Sequence, residues 1–178
     1  MDNLALDFIN TECGTGDDRH DCFEGDLSVI DWLTTVGLVS MGTEPPGGLL
    51  AEARQLRDAS RAVVHAAMNA VEVDLDVINR ILEQGHPLTR LQWDQDAQCY
   101  HVDAHPVGNS PESLLWPIAD ALVKLVTGNK FEFVRQCEAH DCILLFHDLS
   151  KSHRRRWCSM ATCGNRMKVA AFRNRTKS

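Results

Sequence analysis

The chain has 178 residues, of which 44% are hydrophobic and 24% charged, with a formal net charge of −7. That is enough chain for one ordinary domain plus a small appendage, and the balance excludes an intrinsically disordered polymer. No stretch approaches the roughly 20 apolar residues needed to span a bilayer, and the opening MDNLALDFIN lacks the basic start and apolar run of a signal peptide, so a cytoplasmic location is expected.

The first 130 residues read mostly as helices. LALDFINT is too short to assign; its polar Asp7, Asn10 and Thr11 read as a helix cap or a tie for the N-terminus, with ligand binding as the alternative. LSVIDWLTTVGL predicts a helix capped by Asp26, with Leu27, Ile30 and Leu33 on one face and a stop at Gly37. After the loop MGTEPPGG, the recurrence of Leu49, Ala53, Leu56, Val63, Ala67 and Val71 predicts a long amphipathic helix. DLDVINRILEQG predicts a shorter helix between Asp74 as cap and Gly85 as stop. Leu91 and Trp93, then Tyr100 and Val102, flank a polar turn and predict a β-hairpin. ESLLWPIADALVKLVTGN returns to helix, with Pro117 tolerable only near its first turns or at a kink. There is no internal repeat. His65 reads as a partly buried structural histidine, and Trp32, Trp93 and Trp116 as core or interface residues. No spacing demands that a base, a nucleophile and an orienting partner meet, so no enzyme is expected.

Charge and sulfur both change near residue 135. From there to the end, ten Lys and Arg face Glu138, Asp141 and Asp148, an excess of +7, which leaves −14 on the first 134 residues. Such asymmetry suggests two units with different partners, one of them a polyanion, or two halves that attract each other. Of seven cysteines, Cys13, Cys22 and Cys99 are scattered, and the odd total argues against a disulfide framework. The other four, Cys137, Cys142, Cys158 and Cys163, form C-x4-C-x15-C-x4-C. Each pair supplies two thiolates from one tight turn, and the spacer brings the turns together. Four soft ligands leave no open position, so the pattern predicts one structural zinc per chain, with an iron–sulfur cluster or free thiols as lesser alternatives. His140, His147 and His153 could stand in for a cysteine.

FEFVRQC (131–137) and CILLFHD (142–148) read as short strands, and CGNRMKVAAFRNR as a helix beginning near Cys163. Knuckle, hairpin and helix together describe a treble-clef-like finger whose helix N-terminus faces the thiolates. Gly164 would let the backbone turn close to sulfur, and Arg166 could neutralise the cluster from outside. RRWCSMATCGNR, with CEAHDC and LFHDLS upstream, resembles the CGNR zinc finger, and LALDFINTE resembles the opening of the helical ABATE domain that such fingers follow. The resemblance implies zinc ligands at Cys137, Cys142, Cys158 and Cys163, the signature tetrad at Cys163, Gly164, Asn165 and Arg166, and a role in stress-related transcription regulation.

The fold expected is therefore mainly α with a small β-hairpin: an N-terminal helical domain, 1–130, that closes its own core, and a four-cysteine zinc finger, 131–178. The candidate DNA contacts are Arg154, Arg155, Arg156, Arg166, Lys168, Arg173 and Arg175. Arg166 and Arg173 share one helical stripe, while Lys168 and Arg175 share another nearly opposite, so the helix lacks a single basic face. The expected function is a transcription regulator whose finger contacts DNA and whose helical domain is a sensor or dimerisation module. A small-molecule effector and a second copy of the chain are then partners alongside DNA. The alternative is a ligand- or protein-binding module in which the finger is only a staple.

Overall fold

The computed structural model describes residues 3–14 and 19–175 of the chain. Helices α1 (Leu4–Ile9), α2 (Asp26–Thr35), α3 (Leu49–Asn69), α4 (Asp76–Gln84) and α5 (Pro111–Val126) surround one apolar core, and a final helix, α6 (Asn165–Arg175), follows the cysteines. Three two-stranded antiparallel ribbons accompany them: β1 (Glu12–Cys13) with β2 (His20–Asp21), β3 (Leu88–Asp94) with β4 (Cys99–His105), and β5 (Val134–Gln136) with β6 (Leu145–His147). The mainly helical class holds, and among the described residues no helix is long and apolar enough to cross a membrane.

The short opening is a true helix because Asn3 caps it, its Oδ1 accepting from the N–H groups of Ala5 (3.0 Å) and Leu6 (3.3 Å). Helix α2 starts one residue before the expected cap allowed. Gly25 is the cap position and Ser28 Oγ closes it, accepting from Gly25 N–H at 3.0 Å. Asp26 instead serves its neighbour, accepting the N–H of Leu50 at 2.6 Å at the start of α3. Leu27 lies in the first turn of α2 and points to solvent; Val29, Ile30 and Leu33 form the buried face. In α3 the buried stripe runs through Leu49, Ala53, Leu56, Val63 and Val64, while Val71 lies past the helix end and is exposed. Helix α4 begins at Asp76 behind Leu75 rather than on Asp74, whose carboxylate accepts the N–H of Asp76 at 2.9 Å. Gly85 ends it because α5 passes too close for a side chain: a Cβ there would sit 2.2 Å from the Glu112 carbonyl oxygen. Pro117 falls in the second turn of α5, within the helix.

The β3–β4 register is as the pattern requires, Leu91 opposite Val102 and Trp93 opposite Tyr100, with the two rings edge to face at 4.9 Å. The ribbon projects, however, and these side chains are exposed. Trp32 packs with Phe8 and Phe23, and Trp116 donates to the Leu82 carbonyl at 3.1 Å. His65 is half-buried on α3.

The helical core extends past residue 130. Val134 of β5 and Leu145 of β6 are both 1% exposed and belong to the same apolar cluster as Phe8, Leu56 and Leu122. Asn10, just after α1, clamps β6 from the other side. Its Nδ2 donates to the Leu145 carbonyl at 2.8 Å and its Oδ1 accepts the Leu145 N–H at 3.1 Å, in the manner of a strand neighbour. Thr11 Oγ1 donates to the Phe8 carbonyl at 2.7 Å and accepts from Arg57 at 3.1 Å. Asn10 and Thr11 therefore tie the N-terminus down, as one reading of the opening required.

Arg57, 3% exposed, is neutralised by Asp21, whose carboxylate accepts from both guanidinium nitrogens at 2.6 and 2.7 Å. These bonds, with the N–H of Phe23 and the charge of Arg54, hold the Asp21 carboxyl at about 2 against the opposition of burial. An unfolded aspartate titrates near 3.9, so the pair contributes its stability above about pH 4 and loses it as pH falls towards 2. Asp21→Asn should cost about 2–3 kcal/mol at pH 7, the stability carried by a carboxyl held at about 2 when folded and near 3.9 when unfolded. Urea midpoints of variant and parent should converge below pH 4; a gap that is independent of pH would show that the pair is not the source.

Candidate metal centre

The four cysteines meet at one point because two turns deliver them in pairs. β5 leads into the first turn, where Cys137 N–H is bonded to the Leu144 carbonyl at 3.0 Å and Cys142 N–H to the Ala139 carbonyl at 3.0 Å. Of the second pair, Cys158 precedes and Cys163 lies within a wide helical turn, Met160–Gly164, that opens α6; Ser159 Oγ caps it by accepting from Thr162 N–H at 3.3 Å. Phe131–Phe133 is a 3-10 turn rather than strand, and pairing is confined to three residues on each side: Val134 with His147, Arg135 with Phe146 and Gln136 with Leu145.

All four Sγ atoms lie within 4.8 Å of one another, with Cys142 to Cys158 at 3.8 Å and Cys158 to Cys163 at 3.6 Å. A tetrahedral zinc with bonds of about 2.3 Å needs sulfur–sulfur edges of about 3.8 Å, so the cage has the right size. Cys137, Cys142 and Cys163 are buried, and Ala139, Phe146, Leu144, Trp157 and Met167 pack around them. The histidines are engaged elsewhere. His140 is exposed beside Asp141, His147 donates to the Lys130 carbonyl at 3.0 Å, and His153 stacks on Phe133 at 3.8 Å while donating to the Asp148 carbonyl. The protein thus binds one structural Zn2+ per chain through Cys137, Cys142, Cys158 and Cys163.

The electrostatics call for the cation. Burial pushes the Cys142 thiol up to about 11, and burial with the neighbouring Cys163 thiol raises Cys158 further. Cys137 moves down in spite of burial, because the N–H groups of Cys158 and Ala139 point at its sulfur, the former at 3.3 Å. A bound dication offsets that cost at Cys142 and Cys158, since a coordinating thiol is held as thiolate. Arg166 adds a positive group 3.9 Å from Cys163 Sγ, as its place in the tetrad implied. Gly164 has a different reason from the one expected: a Cβ there would meet Met160 Sδ at 2.4 Å and the Trp157 ring at 3.4 Å, not the thiolates.

Around the centre the candidate cations separate into two kinds. Arg155 is exposed but engaged by the finger itself: its Nε donates to the Trp157 carbonyl at 2.9 Å, its Nη2 donates to the Cys158 carbonyl, and its guanidinium lies 4.5 Å over the Phe146 ring. Arg156 pairs with Glu138 at 2.5 Å and covers Trp157. Arg154 is exposed, as are Lys168 and Arg173 on α6. The side chain of Arg175 lies outside the described residues.

Two features escaped the sequence reading. Asp148, fully buried, organises the segment that carries the arginines: Oδ1 accepts from Ser150 Oγ (2.6 Å) and N–H (3.0 Å), and Oδ2 accepts the Arg155 N–H at 2.8 Å. The Ser150 hydroxyl foremost holds its carboxyl below the usual range. The other feature is a second group of potential ligands, Cys13, His20 and Cys22, also within 4.8 Å of one another. C-x6-H-x-C was legible as a spacing, but only the ribbon β1–β2 brings its ends together.

A family model described as "Putative stress-induced transcription regulator" (ABATE) matches residues 2–129, and the CGNR zinc finger model matches residues 134–176. No curated protein matches the chain.

Proposed function

The chain belongs to the ABATE family and ends in a CGNR zinc finger, and from that premise we propose that it regulates transcription by laying the zinc-held helix α6 against DNA, with the helical part as sensor or dimerisation module. The observation that carries this reading is the setting of α6. It starts two residues after the ligand Cys163, and of its residues through Arg173 Met167 is half-buried against the metal cluster and Arg166 reaches Cys163 Sγ, while all but Met167 stand exposed. Its Lys168 and Arg173, with Arg154 on the preceding loop, offer positive charge outward from a segment carrying +7. On this reading the protein binds rather than catalyses, and works in the cytoplasm, where thiols stay reduced.

A salt series on the full chain tests it. Each phosphate neutralised adds about −0.9 to the log–log slope of affinity against salt, so three or four contacts give a slope of about −3 to −4. Changing Arg154 and Lys168 together to Ala should flatten the slope by about 2 and leave zinc in place, since neither residue touches the cysteines. Arg155→Ala is a poor probe because it also removes bonds to the Trp157 and Cys158 carbonyls. Absence of salt-sensitive duplex binding near physiological ionic strength would refute the proposal. The burial of Val134 and Leu145 in the helical core favours the second reading, in which the finger is a staple and the partner is a protein or small ligand. There the double substitution leaves DNA behaviour unmoved.

A further inference from the structure

The ribbon β1–β2 has two chemically distinct faces. Its register sets Glu12 opposite Asp21 and Cys13 opposite His20, and the bond from Cys22 N–H to the Thr11 carbonyl at 2.9 Å extends it by one step. Side chains alternate along each strand, and directly opposed residues share a face. Glu12 and Asp21 therefore point one way, and Cys13, His20 and Cys22 the other. The acidic face is fixed to α3: Glu12 pairs with Arg61 at 3.1 Å, and Asp21 with Arg57 at 2.6 Å and Arg54 at 3.1 Å. Three ion pairs to one helix hold the ribbon's orientation and leave the sulfur- and imidazole-bearing face turned outward.

On that outward face Cys13 Sγ is 3.2 Å from His20 Nε2, and the ligand atoms of Cys13, His20 and Cys22 all lie within 4.8 Å of one another. Cys13 is half-buried, whereas His20 and Cys22 are exposed. We propose that Cys13, His20 and Cys22 form a second metal site, open and exchangeable, for a thiophilic dication of the zinc class. Two thiolates and a neutral imidazole are a zinc donor set, and three protein ligands leave a fourth position for water or an incoming group. Solvent access and the missing fourth protein ligand make it weaker than the closed four-cysteine cage. The site also abuts that cage: Cys13 and Gly14 line the same cavity as Cys142, Cys158, Cys163 and Arg166. A cation held there would neighbour the cage through Cys13, with His20 and Cys22 on its solvent-exposed side. The inference stands on this geometry and is independent of whether α6 meets DNA.

The test uses full-length, reduced protein with zinc itself as the probe. Dialysis against low free zinc should leave a second equivalent per chain beyond the structural one, and a weak chelator should remove only the second. Cys13→Ser, His20→Ala and Cys22→Ser should each weaken the second equivalent by more than the roughly 10–100-fold that loss of an outer hydrogen-bond partner costs a metal site. Each variant should keep the structural zinc, which serves as the check that it remains folded. Cobalt substitution gives an independent readout: the second equivalent should bring a spectrum of mixed sulfur and nitrogen ligation, absent in all three variants. A parent protein that takes up no second equivalent, or a second equivalent that survives all three substitutions, would overturn the assignment.

Discussion

Cys142→Ser is expected to release the structural zinc and to unfold the finger beyond the β5–β6 ribbon. Structural zinc in small fingers supplies about 10–16 kcal/mol of binding free energy that is also folding free energy. Here it has little help. The cluster around the metal consists of the cysteines themselves with Ala139, Phe146 and a few half-buried neighbours, while α6 lies almost wholly in solvent. An isolated helix as short as α6 is marginal in water, so it should melt when its N-terminus loses the metal. Metal analysis should show the loss, circular dichroism a fall in helicity, and hydrogen exchange a loss of protection after residue 147 with the β5–β6 amides less affected. Because Cys13 shares a cavity with Cys142, Cys158 and Cys163, the double variant Cys13→Ser/Cys142→Ser closes the nearest route by which a neighbouring thiol of the described residues could take the vacant place. A double variant with full zinc and unchanged stability would mean that the ligand set is wrong.

The metal centre was legible because its chemistry demands four identical residue types at short range, and no fold information is needed to count them. The long helix α3 and the β3–β4 register were legible for a similar reason: their periods repeat often enough to be read. Features closed by a single long-range contact were not. Asn10 looks like any polar residue near a helix end until Leu145, 135 residues away, is laid beside it. Asp26 appears to be the cap of its own helix, yet its carboxylate is taken by Leu50 of the next. Leu27 carries the right residue type at the right spacing but lies in the first turn of α2, where the chain has not yet met the core. The strands β1 and β2 are two residues each, too short for any alternation to show, so the face shared by Cys13, His20 and Cys22 had no periodic trace. The arginine run divides for a physical reason as well. On an extended segment neighbouring side chains diverge: all three arginines are exposed, but Arg155 is taken by the Trp157 and Cys158 carbonyls and the Phe146 ring and Arg156 by Glu138 and the Trp157 ring.

Residues 1–130 expressed alone are expected to lose cooperative folding, although their helices look able to close a core. The cut removes Val134 and Leu145, each 1% exposed in the same cluster as Phe8, Leu56 and Leu122. Burying a Val or Leu side chain is worth about 1.5–3 kcal/mol, so the two together account for about 3–6 kcal/mol. The cut also leaves Asn10 without the Leu145 backbone and exposes the flank of α1; two bonds at about 1 kcal/mol each add to the loss. A total of about 5–8 kcal/mol is comparable with the whole stability of an ordinary domain, 5–15 kcal/mol. The fragment should therefore show helicity with a shallow urea transition and exposed apolar surface, whereas the full chain unfolds in one step. Leu145→Ala in the intact chain isolates the packing part and should cost about 2–5 kcal/mol with the zinc content unchanged, because Leu145 is not a ligand and faces the helical core. If the fragment matched the full chain in midpoint and steepness, the finger would be a separate unit hung on a finished domain. If the fragment fails as expected, the ribbon that carries the zinc knuckle is also a wall of the helical core. A change at the metal then reaches α1 through Leu145 and Asn10, and a change in the helical core reaches the base of α6 by the same path.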